Sequence, residues 1–111
     1  DSQWMDIVKW TVFALVQAEE MGIDSTNIMD MVASPATPEM ARMLGVEGDL
    51  NKGLGLEPDW VVRIIKHVGN YGEVYEEYMG TKGEFAIGIP RDGSPNALWT
   101  KGGLMYSPPF R

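Results

Sequence analysis

The 111-residue sequence predicts a mainly α fold, several helices with little or no sheet. Three observations predict it. Ser2 to Met21 is an almost unbroken apolar run between a capping serine and a glycine. Pro58 to Met79 repeats apolar residues at three- and four-residue intervals. Glu84 to Ile89 alternates as a strand would, but weakly and briefly. Residues 1–111 read as one small, partial domain.

The first helix is expected from Ser2 to Met21, with Gly22 as its C-terminal stop. Its apolar residues, Trp4 through Ala18, cover most of the circumference, and only Asp6, Lys9, Gln17, Glu19 and Glu20 relieve them. Such a helix must be buried on several sides, and a chain this short supplies few partners for it. Ser25 is expected to cap a helix over Thr26 to Ala33. Thr37, with Pro38 at the first helical position, is expected to start another through Leu44. Met29, Val32, Met40, Met43 and Leu44 are their candidate core. Gly45 to Glu57 reads as a loop.

In the long helix over Pro58 to Met79, Val61, Ile64, Ile65, Val68, Tyr71, Tyr75 and Tyr78 share one face. Asp59, Arg63, Lys66, Asn70, Glu73 and Glu77 occupy the other. Gly69 and Gly72 predict a bend, or a close helix contact against Gly72. Pro90 to Pro95 is a turn-rich loop. Asn96 to Lys101 is expected to make one helical turn ended by Gly102-Gly103, and Leu104 to Arg111 to run extended.

Sixteen acidic residues against nine basic ones leave a net charge of -7. That speaks against nucleic acid and against an anionic membrane surface as partners. Without cysteine, a disulfide framework, a Cys-ligated zinc site and thiol chemistry are excluded. Nothing reaches the roughly 18 apolar residues of a membrane span. The first residues lack the basic and apolar regions of a signal peptide, and no initiator methionine is present. The expectation is a chain that begins after processing or in the middle of something larger.

The motifs for chemistry are weak. His67, the lone histidine, lies on the polar side of its helix with no nucleophile-elbow pattern in the sequence, and reads as a solvated residue. Counted from Asp49 as a calcium loop, positions 5, 6 and 12 are Gly53, Leu54 and Trp60, so the match fails at three sites. Glu19-Glu20 and Glu76-Glu77 are sequence neighbours, which point about 100° apart around a helix and do not make an acid–base pair. The glycine run Gly48 to Gly55 lacks the lysine ending of a phosphate cradle. No catalytic residue, metal ligand or cofactor is expected, and no residue is assigned to a ligand. Trp60 and Trp99 are the aromatics whose burial is least certain.

Four segments carry a resemblance. Asp1-Ser2-Gln3-Trp4-Met5-Asp6-Ile7-Val8-Lys9-Trp10 resembles the start of the final stretch of general L-amino-acid-binding proteins of ABC importers. Val46-Glu47-Gly48-Asp49-Leu50-Asn51-Lys52-Gly53-Leu54-Gly55-Leu56 is similar to their glycine loop. Asp59-Trp60 and Val68-Gly69-Asn70-Tyr71-Gly72-Glu73 are similar to their last long helix. Asn96 to Tyr106, with Pro108-Pro109, resembles their C-terminus. The four occur in the right order over nearly the whole chain. Lys82 to Pro95 departs from the family, being longer and differently composed than the linker expected there.

The resemblance implies a periplasmic location and a part in capturing L-amino acids for an ABC transporter permease. Family members are much longer, with two α/β lobes closing over the ligand. This segment would follow the chain's return to the first lobe and supply packing helices and a tail. The family's carboxylate-clamping arginine and amine-binding aspartate lie in earlier segments, so Arg42, Arg63, Arg91 and Arg111 have no claim to that role. The rival expectation is a free-standing interaction or oligomerisation module without a ligand cleft. Catalysis and tight binding of amino acids by this chain alone are not expected. Self-association is, through a first helix presenting Trp4, Ile7, Val8, Trp10, Val12, Leu15 and Val16 on more than one face.

Overall fold

The computed structural model describes residues 2–48 and 50–110, with Leu50 described by its backbone. Asp1, Asp49 and Arg111, which enter the expectations above, lie outside the described residues. Among the described residues six α-helices follow one another: α1 (Ser2–Glu20), α2 (Ile28–Ala33), α3 (Pro38–Met43), α4 (Leu50–Leu54), α5 (Trp60–Val68) and α6 (Tyr71–Tyr78). A single 3₁₀ turn, Trp99–Lys101, follows. The fold is mainly helical as expected, and no strand forms among the described residues. One isolated bridge pairs Leu98 with Met105.

Helix α1 is the spine, packing along α4, α5 and α6. Its inner face buries Ala14, Val16 and Ala18 completely and takes Gln17 in with them. At its end the Ile23 amide bonds Ala18 O at 2.8 Å and the Gly22 amide bonds Glu19 O at 3.1 Å. This double closure satisfies two of the orphan carbonyls and turns the chain sharply. Ile23, the residue after the turn, is fully buried.

The second helix starts later than expected, at Ile28. Asp24, not Ser25, organises its approach: Asp24 Oδ1 accepts from the amides of Thr26 and Asn27 and from the Thr26 hydroxyl. A short carboxylate that closes three bonds in the turn outcompetes the serine as organiser. Thr37 does cap α3 as expected, accepting from the Met40 amide at 3.1 Å, with Pro38 in the first turn. Met40, Met43 and Leu44 are buried, but Met29 is 55% exposed and Val32 only half-buried. The Gly45–Glu57 loop contains a helical turn, α4, that its glycines concealed.

The expected long helix is two helices. At Gly69 the chain adopts φ 86° and ψ -173°, a conformation that only glycine holds without strain. Asn70 then opens α6 with a reciprocal cap: its side chain accepts from the Glu73 amide, and Glu73 accepts from the Asn70 amide. Val61 and Ile65 are buried on α5 and Tyr75 on α6, while Val68 and Tyr78 face outward. Glu84 to Ile89 has no partner strand and forms none. The turn after Asn96 appears at Trp99–Lys101 and ends at Gly102 in the left-handed conformation, as expected.

The core gathers Ala14, Ile23, Ile28, Met43, Leu54, Val61, Ile65 and Phe110. Phe110 closes it from the other end of the chain: its ring lies 5.1 Å from Trp10 and 6.4 Å from Trp60. Trp60 is thus a core residue, whereas Trp99 is half exposed.

Candidate functional site

His67 sits exposed in the last turn of α5, beside the groove between α1 and the α5–α6 pair. The paired glutamates diverge as helix geometry requires: Glu19 meets Arg91, while Glu20 accepts from the Trp99 indole at 3.3 Å. Glu76 closes a turn by accepting from the Thr81 amide. Among the described residues no group of three His, Asp or Glu side chains is placed to hold a metal. The crevice beside the glycine run, between Arg42, Gly45 and Phe110, has a volume of about 10 Å³, room for one water and no more.

The described arginines are engaged within the fold. Arg42 Nε donates to Phe110 O at 3.1 Å. Arg63 pairs with Asp59 one turn earlier, both exposed. Arg91 is the most elaborately held. Its two terminal nitrogens donate to the two Glu19 oxygens, one at 2.6 Å, in a forked pair. Its Nε donates to Asn96 O at 2.8 Å, and its guanidinium lies over Tyr71, 4.9 Å from the ring centre. The Glu19 hydrogen bonds hold this guanidinium more firmly protonated than usual. Burial pushes the Tyr71 phenol above its usual 10.0, against the opposing pull of Arg91. Gly72 makes room for the pair, since a β-carbon there would overlap the Glu19 carboxylate. The sequence allowed a bend or a close contact at Gly72; the structure has a break at Gly69 and the Glu19 and Arg91 side chains against Gly72, and nothing in the sequence pointed to that arginine.

This cluster borders an open cleft of about 380 Å³ that also takes in Glu73, Glu76, Lys82, Asp92 and Lys101. Both signs of charge line it, and its best-placed cation is already satisfied by Glu19. It has the chemistry of a structural joint.

The other prominent surface is apolar. On α1, Trp4, Met5, Val8 and Val12 point away from the core, Trp4 at 62% exposure and Val8 at 41%. They lie on one side of the helix by their three- and four-residue spacing. The stripe runs into a groove lined by Leu15, Ile64, Val68, Val74 and Tyr78. Ile7 and Trp10, also expected to face outward, are half-buried on the inner side, and Val16 is fully buried.

Among the described residues, then, the surface offers a charge-lined cleft, an apolar groove and an uncovered helix face. This chain resembles a solved periplasmic binding protein. An ABC transporter periplasmic binding protein from Brucella ovis, with glutathione bound, matches with a TM-score of 0.87 at 46% identity; the match covers 100% of this chain and 34% of that one. Among proteins of known sequence, similar ones carry the names of amino-acid-binding or amino-acid ABC transporter-binding proteins. The glutamate/glutamine/aspartate/asparagine-binding protein BztA of Rhodobacter capsulatus is 50% identical over 111 residues, 32% of its length. YhdW of Escherichia coli strain K12 is 49% identical over 111 residues, 31% of its length. The general L-amino acid-binding periplasmic protein AapJ of Rhizobium johnstonii is 47% identical over 113 residues, 32% of its length. Each match takes in 100% of this chain, which therefore spans about a third of the length of these relatives. No protein-family model matches it.

Proposed function

We propose that this chain is a packing segment of one lobe of a periplasmic substrate-binding protein, one that captures L-amino acids and delivers them to an ABC transporter permease. We place it at the C-terminal end of that protein's first lobe. The observation that carries the reading is the match over the whole chain, at close to half identity, to about a third of each amino-acid-binding relative. The uncovered stripe on α1 fits it, because the missing two-thirds supplies the partner that Trp4, Val8 and Val12 lack here. No catalytic step belongs to this reading. A saturable turnover abolished by His67→Ala would overturn that part of it.

A chimera tests the proposal. This chain replaces the matching third of BztA, and binding of pooled L-amino acids is followed by titration calorimetry. The chimera is expected to bind, and this chain alone is not, since small-ligand sites require a concave preformed pocket. Micromolar binding by the chain alone, or a folded chimera that binds nothing, would sink it.

A second reading, a free-standing oligomerisation module, draws on the completeness of the core: Ile23 and Ile65 are fully buried within this chain alone. Both readings give self-association of the isolated chain through the α1 stripe. The chimera separates them, since only a lobe segment restores ligand binding.

A further inference from the structure

Residues 81–96 form a strap that leaves α6 and returns to it beside the end of α1. Burial does not hold this strap down. None of its residues is buried, and Phe85 and Ile87 are 60% and 66% exposed. Segments with few buried apolar contacts occupy the low end of local stability and depend on their polar contacts. Those contacts are few and concentrated. The Gly83 amide bonds Glu76 O at 3.1 Å, the Gly88 amide Gly80 O at 2.8 Å and the Ile89 amide Met79 O at 2.9 Å. The Tyr75 hydroxyl donates to Ile89 O at 3.1 Å, and Phe85 stacks on Tyr78. The Thr81 amide also donates to a Glu76 carboxylate oxygen at 3.2 Å, and Pro95 O accepts from the Leu104 amide at 2.9 Å. Arg91 ties together more than any of these. It joins α1 through Glu19, α6 through the faces of Tyr71 and Tyr75, and the next turn of the strap through Asn96 O. Its own carbonyl accepts from the Ser94 amide and hydroxyl, which fold that turn around it.

We propose that the Glu19–Arg91 pair is a latch: it holds residues 81–96 as a strap across α6, and breaking it releases the strap while the helical core stays folded. Arg91 is suited to this as lysine is not. Its planar fork meets both carboxylate oxygens while its third nitrogen reaches a carbonyl and its face lies on an aromatic ring. The role requires Gly72, whose missing side chain lets the pair lie against α6.

Amide hydrogen exchange on the full 111-residue chain tests the latch, with Arg91→Ala, Glu19→Gln and their double variant compared with Arg91→Lys. The expected result is exchange at Gly88, Ile89 and Ser94 faster by about tenfold or more, the factor one charge-assisted hydrogen bond is worth. Exchange at Val16 and Ile65 stays as it was. The double variant adds little to either single one, and Arg91→Lys falls between wild type and Arg91→Ala. Three results would overturn the proposal: unchanged exchange in the strap, acceleration shared equally by Val16 and Ile65, or single-variant effects that simply add. Failure of Arg91→Ala to fold while Glu19→Gln leaves the strap protected would overturn it too, by placing Arg91 in the core's own stability.

Discussion

Asn70 stands where α5 ends and α6 begins, and every polar group of its side chain is engaged. Its Oδ1 accepts from the Glu73 amide and its Nδ2 donates to Ile23 O, both at 2.9 Å, so one residue caps α6 and fastens it to the turn after α1. Replacing it removes a cap and leaves buried partners unsatisfied. Asn70→Ala is expected to lower stability by about 1–3 kcal/mol in chemical denaturation. The next residue, Tyr71, shapes the alkaline limb. Its folded pKa is raised, so its contribution is whole below its ordinary 10.0 and fades as pH climbs through the folded value. Tyr71→Phe is expected to lose less stability between neutral pH and pH values above 10.0 than the parent protein does, as followed by thermal melts. Asp24 acts with the opposite sign. Its pKa is lowered below 3.8, first by the Thr26 hydroxyl, so its contribution is present above 3.8 and lost as acid protonates it. Asp24→Asn is therefore expected to differ least from the parent in strong acid.

Among the helices, two glycines with opposite demands sort the fold's requirements. Gly69 separates α5 from α6 in a backbone conformation that alanine resists, and a β-carbon there would meet the Glu73 side chain at 2.6 Å. Gly69→Ala is expected to cost about 1–3 kcal/mol. Gly53 lies within α4 with open space around it. Gly53→Ala is expected to add about 0.4–1 kcal/mol, chiefly by restricting the unfolded chain; paired denaturation curves measure both. The same positions explain what the sequence disclosed. The capping serine and the closing glycine bounded α1, and helical periodicity located α5 and α6, since Val61, Ile65 and Tyr75 are all buried even across the break. Periodicity is blind to that break. The sign of it was the Asn70-x-x-Glu73 spacing of a capping box, set just after a glycine. Gly53 hid α4 among loop residues. Glu84 to Ile89 alternates, but its Gly88 and Ile89 amides bond Gly80 and Met79 in the turn after α6, and no strand lies beside it among the described residues. The Glu19–Arg91 pair joins residues 72 positions apart, and no local pattern announces such a contact.

At the scale of the molecule, the accessible surface is 6669 Å² where a compact monomer of this mass exposes about 6,100 Å². The radius of gyration is 14.1 Å against about 13 Å for a compact chain of this length. The uncovered stripe on α1 contributes to that excess. The sequence foresaw an oversupply of apolar surface on α1, but an all-round apolar pattern does not say which side stays bare. The structure does, and it singles out Val8 as the residue to substitute. Trp10 packs on Phe13 and Phe110, so Trp10→Glu strikes the core. Val8→Glu is expected to change monomer stability within about 0.5 kcal/mol, as surface substitutions do. It is expected to shift light scattering of the isolated chain at tens of micromolar from dimer toward monomer. An unchanged dimer would place the contact elsewhere.

The contact of Trp10 with Phe110 also sets an order of events. These rings touch although nearly the whole chain lies between them, and Arg42 secures the same phenylalanine through its carbonyl. Closing so large a loop must precede the reward of the contact, which makes it a late step. During synthesis α1 leaves the ribosome long before Phe110 does, and its inner side has no aromatic lid for all that time. The inner side of α1 is therefore open to chaperones until Phe110 has emerged. Shortening the chain after Ser107 should leave helix content in place while the near-ultraviolet signal of packed Trp10 and Trp60 is lost.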